Sequence, residues 1–326
     1  LSTNLFLWFI DDYFAYQFAM ILLAYWSRDV LCTVRDGRRS HLFNPSAFGL
    51  GIAAIAIVVL HIPDVTHGQM IAQTLGNPEH PYILIFLMGF VVQAFFKVTF
   101  VTMAAALTMV GLGYVYTVMF GTYQHIDTAI PIAVFLGMNL LVTDPATSPK
   151  SIAGRCVFGM LYGAMVFLSY DALRNVHIVS ALSGQQIEIS WLDKLLCVPI
   201  LNLLAQPIER WVGRLDALYL NRWWLKHNTT HLGLWACAFM VIYPQLSDHQ
   251  GKQLVFWETA CEQDLRRACS DRAKVYAKLC SEQFPEVCFN QGRGFEAGSG
   301  VPVSRSSALD SYKRACKGGL TLGCAE

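Results

Sequence analysis

Apolar runs long enough to cross or nearly cross a bilayer recur at residues 5–27, 44–62, 81–96, 98–120, 128–142, 156–172, 189–206 and 230–246. Hydrocarbon offers no hydrogen bonds to a bare backbone, so runs of this length restrict the chain to elements that satisfy their own N–H and C=O groups. Several runs are short or interrupted by Gly and Pro. That is the pattern of half-helices and broken helices as much as of full spans. Only 14% of all residues are charged, against about 25% in soluble domains. The charge is uneven: residues 1–246 carry 13 Lys and Arg, and the last 80 residues carry 11. The expected organisation is a membrane domain over residues 1–246 joined to a small extracytoplasmic domain over 247–326. The chain opens at Leu1 without Met, from which a preceding N-terminal piece is expected. With a net charge of +1, no nucleic-acid partner is expected.

Basic residues segregate when successive loops are assigned alternately to the two sides of a bilayer. One side receives Arg28, Arg35, Arg38, Arg39, Lys97, Lys150, Arg155, Arg210, Arg214, Arg222 and Lys226; the other receives Arg174. The basic side is expected to be cytoplasmic, which places residues 247–326 outside, in the periplasm of a bacterium whose inner membrane holds the rest.

Cysteine spacing asks for the same compartment. The last six of ten cysteines form three C-x7-C pairs, Cys261/Cys269, Cys280/Cys288 and Cys316/Cys324, and the second and third pairs are offset by 36 residues. A fixed period of this size marks stacked helical hairpins. Eight steps along one helix separate Cα atoms by roughly 12 Å, whereas a disulfide needs less than about 7 Å. Bonded pairs therefore require a turn inside each pair. Gly318-Gly319 and Pro285 supply breakers for the third and second pairs, but residues 262–268 contain none. Local disulfides belong to an oxidising compartment.

Two motifs stand at the expected cytoplasmic face. Asn44 and Pro45 open the second apolar run as an N-cap and a first helical residue. The string Thr143-Asp144-Pro145-Ala146-Thr147 follows the fifth run and precedes a glycine-rich stretch, residues 154–163. Asp and Thr beside Pro at a helix break can cap exposed backbone or coordinate a cation. Both roles stay open for Asp144 and Thr147.

Phe43-Asn44-Pro45-Ser46-Ala47, then Thr143 to Thr147, then residues 201–210 (Leu-Asn-Leu-Leu-Ala-Gln-Pro-Ile-Glu-Arg) together resemble the integral membrane protein family shared by the sodium-translocating NADH:quinone reductase and the Rnf electron-transport complex. The resemblance covers roughly residues 30–225. It implies an all-α, polytopic fold of about 8–10 membrane helices, built as an inverted repeat like urea transporters. It also implies electron transfer through flavins and association with other membrane subunits. The family's Ser-Gly-Ala-Thr string, whose threonine carries covalent flavin mononucleotide, is missing. The corresponding loop offers only Thr66 and Thr74. Covalent flavin is not expected; a noncovalent flavin or a quinone remains open.

Histidines give a weaker signal. His61, His67, His80, His125 and His177 fall on or beside the expected outer face, where imidazoles can ligate metals but are also ordinary helix-end residues. No metal site is expected, and without C-x-x-C-H there is no usual c-type haem attachment. His227 and His231 share a face if their stretch is helical, with solvent or headgroup contact as the expected role. Residues 210–226, with Trp211, Tyr219, Trp223 and Trp224, read as an interfacial amphipathic segment.

The tail resembles a cysteine-rich, secreted SEL-like repeat, a tetratricopeptide relative, in its Gly300-Val301-Pro302 turn, its Ala308-Leu-x-x-Tyr312-x-x-Ala-Cys316 helix and its Gly318-Gly319-x-x-x-Gly323-Cys324 close. A repeat and a half buries little core, so the disulfides supply what packing does not. Helical hairpins offer binding surfaces, and an extracytoplasmic protein partner is expected. The functional expectation is a membrane subunit of a respiratory or photosynthetic-type electron-transport complex, a component of an ion-translocating or quinone-linked oxidoreductase. The alternatives are a non-catalytic scaffold that has lost its flavin, and a small-solute transporter or channel.

Overall fold

Helices form where the apolar runs lie, though not always at the length of the run. The computed structural model describes residues 3–35, 37–74, 80–215, 227–281 and 283–325, and the chain is mostly helical with two short hairpins. The run at 5–27 is not one helix, which corrects the expectation. Thr3–Leu5 and Asp11–Tyr13 are single 3-10 turns, Phe9 bridges to Thr66, and α1 (Ala15–Val30) begins only beyond the two adjacent carboxylates of Asp11 and Asp12. Two neighbouring charges are costly inside an apolar helix, so the chain breaks there.

A hairpin of β1 (Cys32–Arg35) and β2 (Arg38–His41) follows, then α2 (Pro45–Val59), α3 (Gly68–Thr74), α4 (His80–Phe96) and α5 (Thr99–Phe120). The run at 128–142 yields only the nine-residue α6 (Ile132–Leu140), held between Pro131 at its N-cap and the Thr-Asp-Pro string after it. Next come α7 (Ile152–Leu173), a hairpin of β3 (His177–Val179) and β4 (Gln186–Glu188), α8 (Cys197–Leu215) and α9 (Asn228–Ser247). Among the described residues three stretches are long and apolar enough to cross a membrane: Thr99–Phe120, Ile152–Leu173 and Ser190–Arg214. Helices α2 and α4 are apolar but shorter. Most of residues 210–226 lies outside the described residues.

Close helix approach in this part depends on small residues. A Cβ at Gly159 would collide with the carbonyl of Val101, and one at Gly163 would come 2.7 Å from that of Ala105. The Gly159-x-x-x-Gly163 spacing thus brings α7 against the backbone of α5, as small residues do between apolar helices. Polar side chains in the same interior find one another. Gln93, fully buried, donates to Thr102 Oγ1 and Asn139 Oδ1, each at 3.1 Å.

Burial also takes in titratable residues that sequence reading left without a place or put outside. Asp193 and Lys194 form a buried pair at 3.0 Å within the 189–206 run. Arg174, expected in an outer loop, is 2% exposed and lies 5.5 Å over the Tyr170 ring. His231, expected to face solvent or headgroups, is buried with its ring 4.6 Å from that of Phe100.

Contacts divide the chain into two compact units, Leu1–Leu112 with Ile130–Ser247, and Gly113–Ala129 with Asp248–Glu326. The second unit contains α10 (Leu254–Glu262), α11 (Ala268–Ser281), α12 (Pro285–Ala297), α13 (Arg305–Lys317) and α14 (Leu322–Ala325). Its main core gathers Trp257, Ala260, Ala268 and Val275 against Tyr123, Ile126, Leu265 and Leu279. The Trp257 indole N–H donates to Gly251 O at 2.6 Å.

Each cysteine pair in this unit brackets the same helix stop. Cys261–Cys269, Cys280–Cys288 and Cys316–Cys324 have Cα separations of 4.6, 4.8 and 4.8 Å. In each, the residue before the first cysteine accepts a 6→1 hydrogen bond: Leu265 N to Ala260 O at 3.0 Å, Phe284 N to Leu279 O at 3.3 Å, Leu320 N to Ala315 O at 3.1 Å. The cysteine carbonyl itself accepts the 5→2 bond, from Asp264, Gln283 and Gly319, whose φ values of 53°, 69° and 97° are left-handed. These are three Schellman motifs in register, each followed by an apolar residue. The first pair therefore turns without Gly or Pro, because Asp264 and Arg267 both take positive φ.

Candidate functional site

Local sequence explains how each wall of the site is set. Asn44 takes an extended conformation and accepts from Ala47 N at 3.1 Å, capping α2 while Pro45 needs no partner. Ahead of it, Gly37 at φ 74° lets β1 and β2 turn back on each other, so that Arg35 and His41 project from one short hairpin. Ser151 caps α7 by accepting from Gly154 N at 3.1 Å. On α8, Asn202, Gln206 and Arg210 recur every fourth residue and so share one helix face.

The three segments that carry the sequence resemblance meet here. Asn44 N donates to Asn202 Oδ1 at 2.9 Å, and Asn44 Nδ2 donates to Leu141 O at 3.0 Å, so one residue ties α2 to α8 and to the end of α6. His41 Nε2 stands 2.9 Å from Asp144 Oδ2, while Asp144 Oδ1 accepts from Ala146 N at 3.0 Å. Arg35 donates to Ala146 O and, at 3.1 Å, to Ser148 O. Glu209 accepts from Lys150 N at 2.9 Å and from the Ser151 N–H and hydroxyl, which fixes α8 to the start of α7. Gln206 donates to Thr33 Oγ1 at 3.0 Å, joining α8 to β1.

Of the expected residues, Asn44, Asp144 and Thr147 belong to this cluster. Pro45 and Pro145 shape its turns, and Thr143 bonds back to Asn139 O at 2.6 Å. Sequence reasoning assigned no individual site role to Arg35, His41, Asn202, Gln206, Glu209 and Arg210. Two signals could have found them: the Asp36-Gly37 pair between strand-like stretches, a hairpin signature, and the fourfold polar stripe on α8.

The cluster encloses a cavity of about 280 Å³ lined by Thr33, Arg35, His41, Thr147, Asn202, Gln206 and Arg210 among others. Ligand sites for ring cofactors usually run from about 300 to 1,000 Å³ and carry aromatic or broad apolar walls. Among the described residues the one aromatic ring in the lining is His41, and the apolar lining is Leu42, Leu203, Ala205 and Pro207. The lining therefore lacks the broad aromatic or apolar wall that usually holds a flavin or quinone ring. Among the described residues no three His, Cys, Asp or Glu side chains converge as metal ligands. Comparison of the chain with known protein families, curated proteins and solved structures gives no match.

Proposed function

We propose that the chain is a structural membrane subunit of an electron-transport complex of respiratory or photosynthetic type. Its first unit serves as a polytopic helix scaffold, and its C-terminal repeats dock a protein partner outside a bacterial inner membrane. The observation that carries this reading is the hydrogen bonding of Asn44. Its backbone N–H and its Nδ2 tie α2 to α8 and to the end of α6, beside segments that resemble a redox-complex subunit, while its Oδ1 caps α2 by accepting from Ala47 N. Asp144 is likewise engaged, by His41 and by Ala146 N–H. The motif side chains thus act as architecture. The short helices α2 and α6, each meeting Pro beside Asn or Asp at this cluster, support a repeat of the urea-transporter kind.

The test is the absorbance and flavin fluorescence of the purified full chain, combined with pull-down of its membrane partners. A scaffold gives co-purifying redox subunits and no flavin or quinone bound to this chain in stoichiometric amount. Stoichiometric flavin or quinone on the isolated chain would replace the scaffold reading with an electron-carrying one. Absence of redox subunits from the pull-down would remove the complex itself.

A further inference from the structure

We propose that the cavity between the β1–β2 hairpin and α8 binds a phosphate-class anion, which goes beyond the scaffold reading. Among the described residues its lining includes Arg35 and Arg210 and no Asp or Glu. Arg35 is held by two neutral carbonyls, those of Ala146 and Ser148, so among the described residues its charge meets no acid and three of its five N–H donors remain for another acceptor. Arg210 is exposed and makes no ion pair or hydrogen bond among the described residues. Asp144, which pairs with His41, is not part of the lining.

The independent observation is Asn202. It is 3% exposed and lines the cavity, and its Nδ2 has no hydrogen-bond partner. The amide orientation is fixed, because Oδ1 accepts from Asn44 N and a flipped amide would set donor against donor. Leaving a buried NH2 without an acceptor is unfavourable, and an anionic oxygen in the cavity would satisfy it. Thr33 and Thr147 add hydroxyls to the same wall. Guanidinium groups, an amide N–H and hydroxyls around a small cavity match the oxygens of a phosphate group. A free phosphate compound and an anionic lipid headgroup share that chemistry.

The test uses the full chain in neutral detergent, titrated with inorganic phosphate at constant ionic strength while thermal unfolding is followed. A parallel arm replaces phosphate with phosphatidylglycerol against phosphatidylcholine in mixed micelles. The expected result is saturable stabilisation that Arg210→Gln weakens at least tenfold and Arg210→Lys largely restores. Arg214→Gln, one turn further along α8 and outside the lining, should leave it unchanged. Saturation by phosphate assigns the site to a soluble ligand, and saturation only by phosphatidylglycerol, with the same variant pattern, assigns it to a headgroup. The proposal is overturned if neither probe saturates, or if Arg214→Gln weakens binding as much as Arg210→Gln does, since nonspecific charge attraction would then suffice.

Discussion

The two units hold their turns in opposite ways. In the first, turns are fixed by side chains that reach across the sequence: Asn44 to Asn202, His41 to Asp144, Arg35 to Ser148 and Glu209 to Ser151. In the second, each turn is fixed by its neighbours, through a Schellman motif and a disulfide that spans eight residues. A long-range polar junction forms only once the helices around it are placed, and it leaves a cavity where segments meet. A local staple works before tertiary packing and needs little core. The first unit should therefore respond to changes of single side chains, and the second to redox conditions and pH.

Reduction should have the largest effect. A loop of this length contributes roughly 2.5 kcal/mol through loss of unfolded-state entropy, and the second unit has three such bonds around two small cores. Reductant should unfold α10 to α14 while the helices of the first unit persist, which limited proteolysis with peptide mapping would read. Equal resistance of both units to reductant would remove the contrast between them.

Acid comes next. Burial holds the His249 imidazole down at about 4, and in its neutral form His249 Nδ1 accepts from Gly251 N. Because the folded-state value lies below the unfolded one near 6.5, the contribution is fully present above pH 6.5 and is lost as pH falls towards 4. The shift corresponds to about 3 kcal/mol. Thermal unfolding of the second unit should fall over that window, and His249→Gln should flatten the fall.

Asn44→Ala removes a helix cap and the bond to Leu141 O, for an expected loss of about 2–3 kcal/mol. The loss should appear as lower thermal stability of the first unit with no change in the second. Asn44→Asp, which keeps the cap but sets an acceptor-only carboxylate oxygen against Leu141 O, should recover little of the loss. Smallest should be Tyr276→Phe and Tyr312→Phe. Each removes a tyrosine hydroxyl that donates to a glutamate on the preceding helix, at 2.9 Å to Glu258 and 2.7 Å to Glu296. About 1 kcal/mol each is expected in urea unfolding, and the near equality of the two would mark them as equivalent repeat positions.

What could be read from the sequence divides along the same line. Helix α2 was legible because its cap and its first-turn proline are adjacent residues, and the cysteine spacing required turns because it is local too. The turn between Cys261 and Cys269 was not legible, since it rests on Asp264 and Arg267 accepting a left-handed backbone that nothing in their identity demands. Pairing of His41 with Asp144 joins residues 103 positions apart, and no periodicity reports such a contact. Asp11 and Asp12 were visible, but their power to break a long apolar run appears only when the helix has to be built.

The most direct test of the claim that the motif side chains form an architectural junction is a double-mutant cycle on His41→Ala and Asp144→Asn. It is read as thermal stability of the purified full chain. Direct pairing across the hairpin and the Thr-Asp-Pro string predicts a coupling energy of about 0.5–3 kcal/mol, with the double variant little worse than either single one. Strict additivity, within about 0.3–0.5 kcal/mol, would mean that the Asp144 carboxylate is not committed to His41. It would then be free for a cation, and the junction would not be what holds the three segments together.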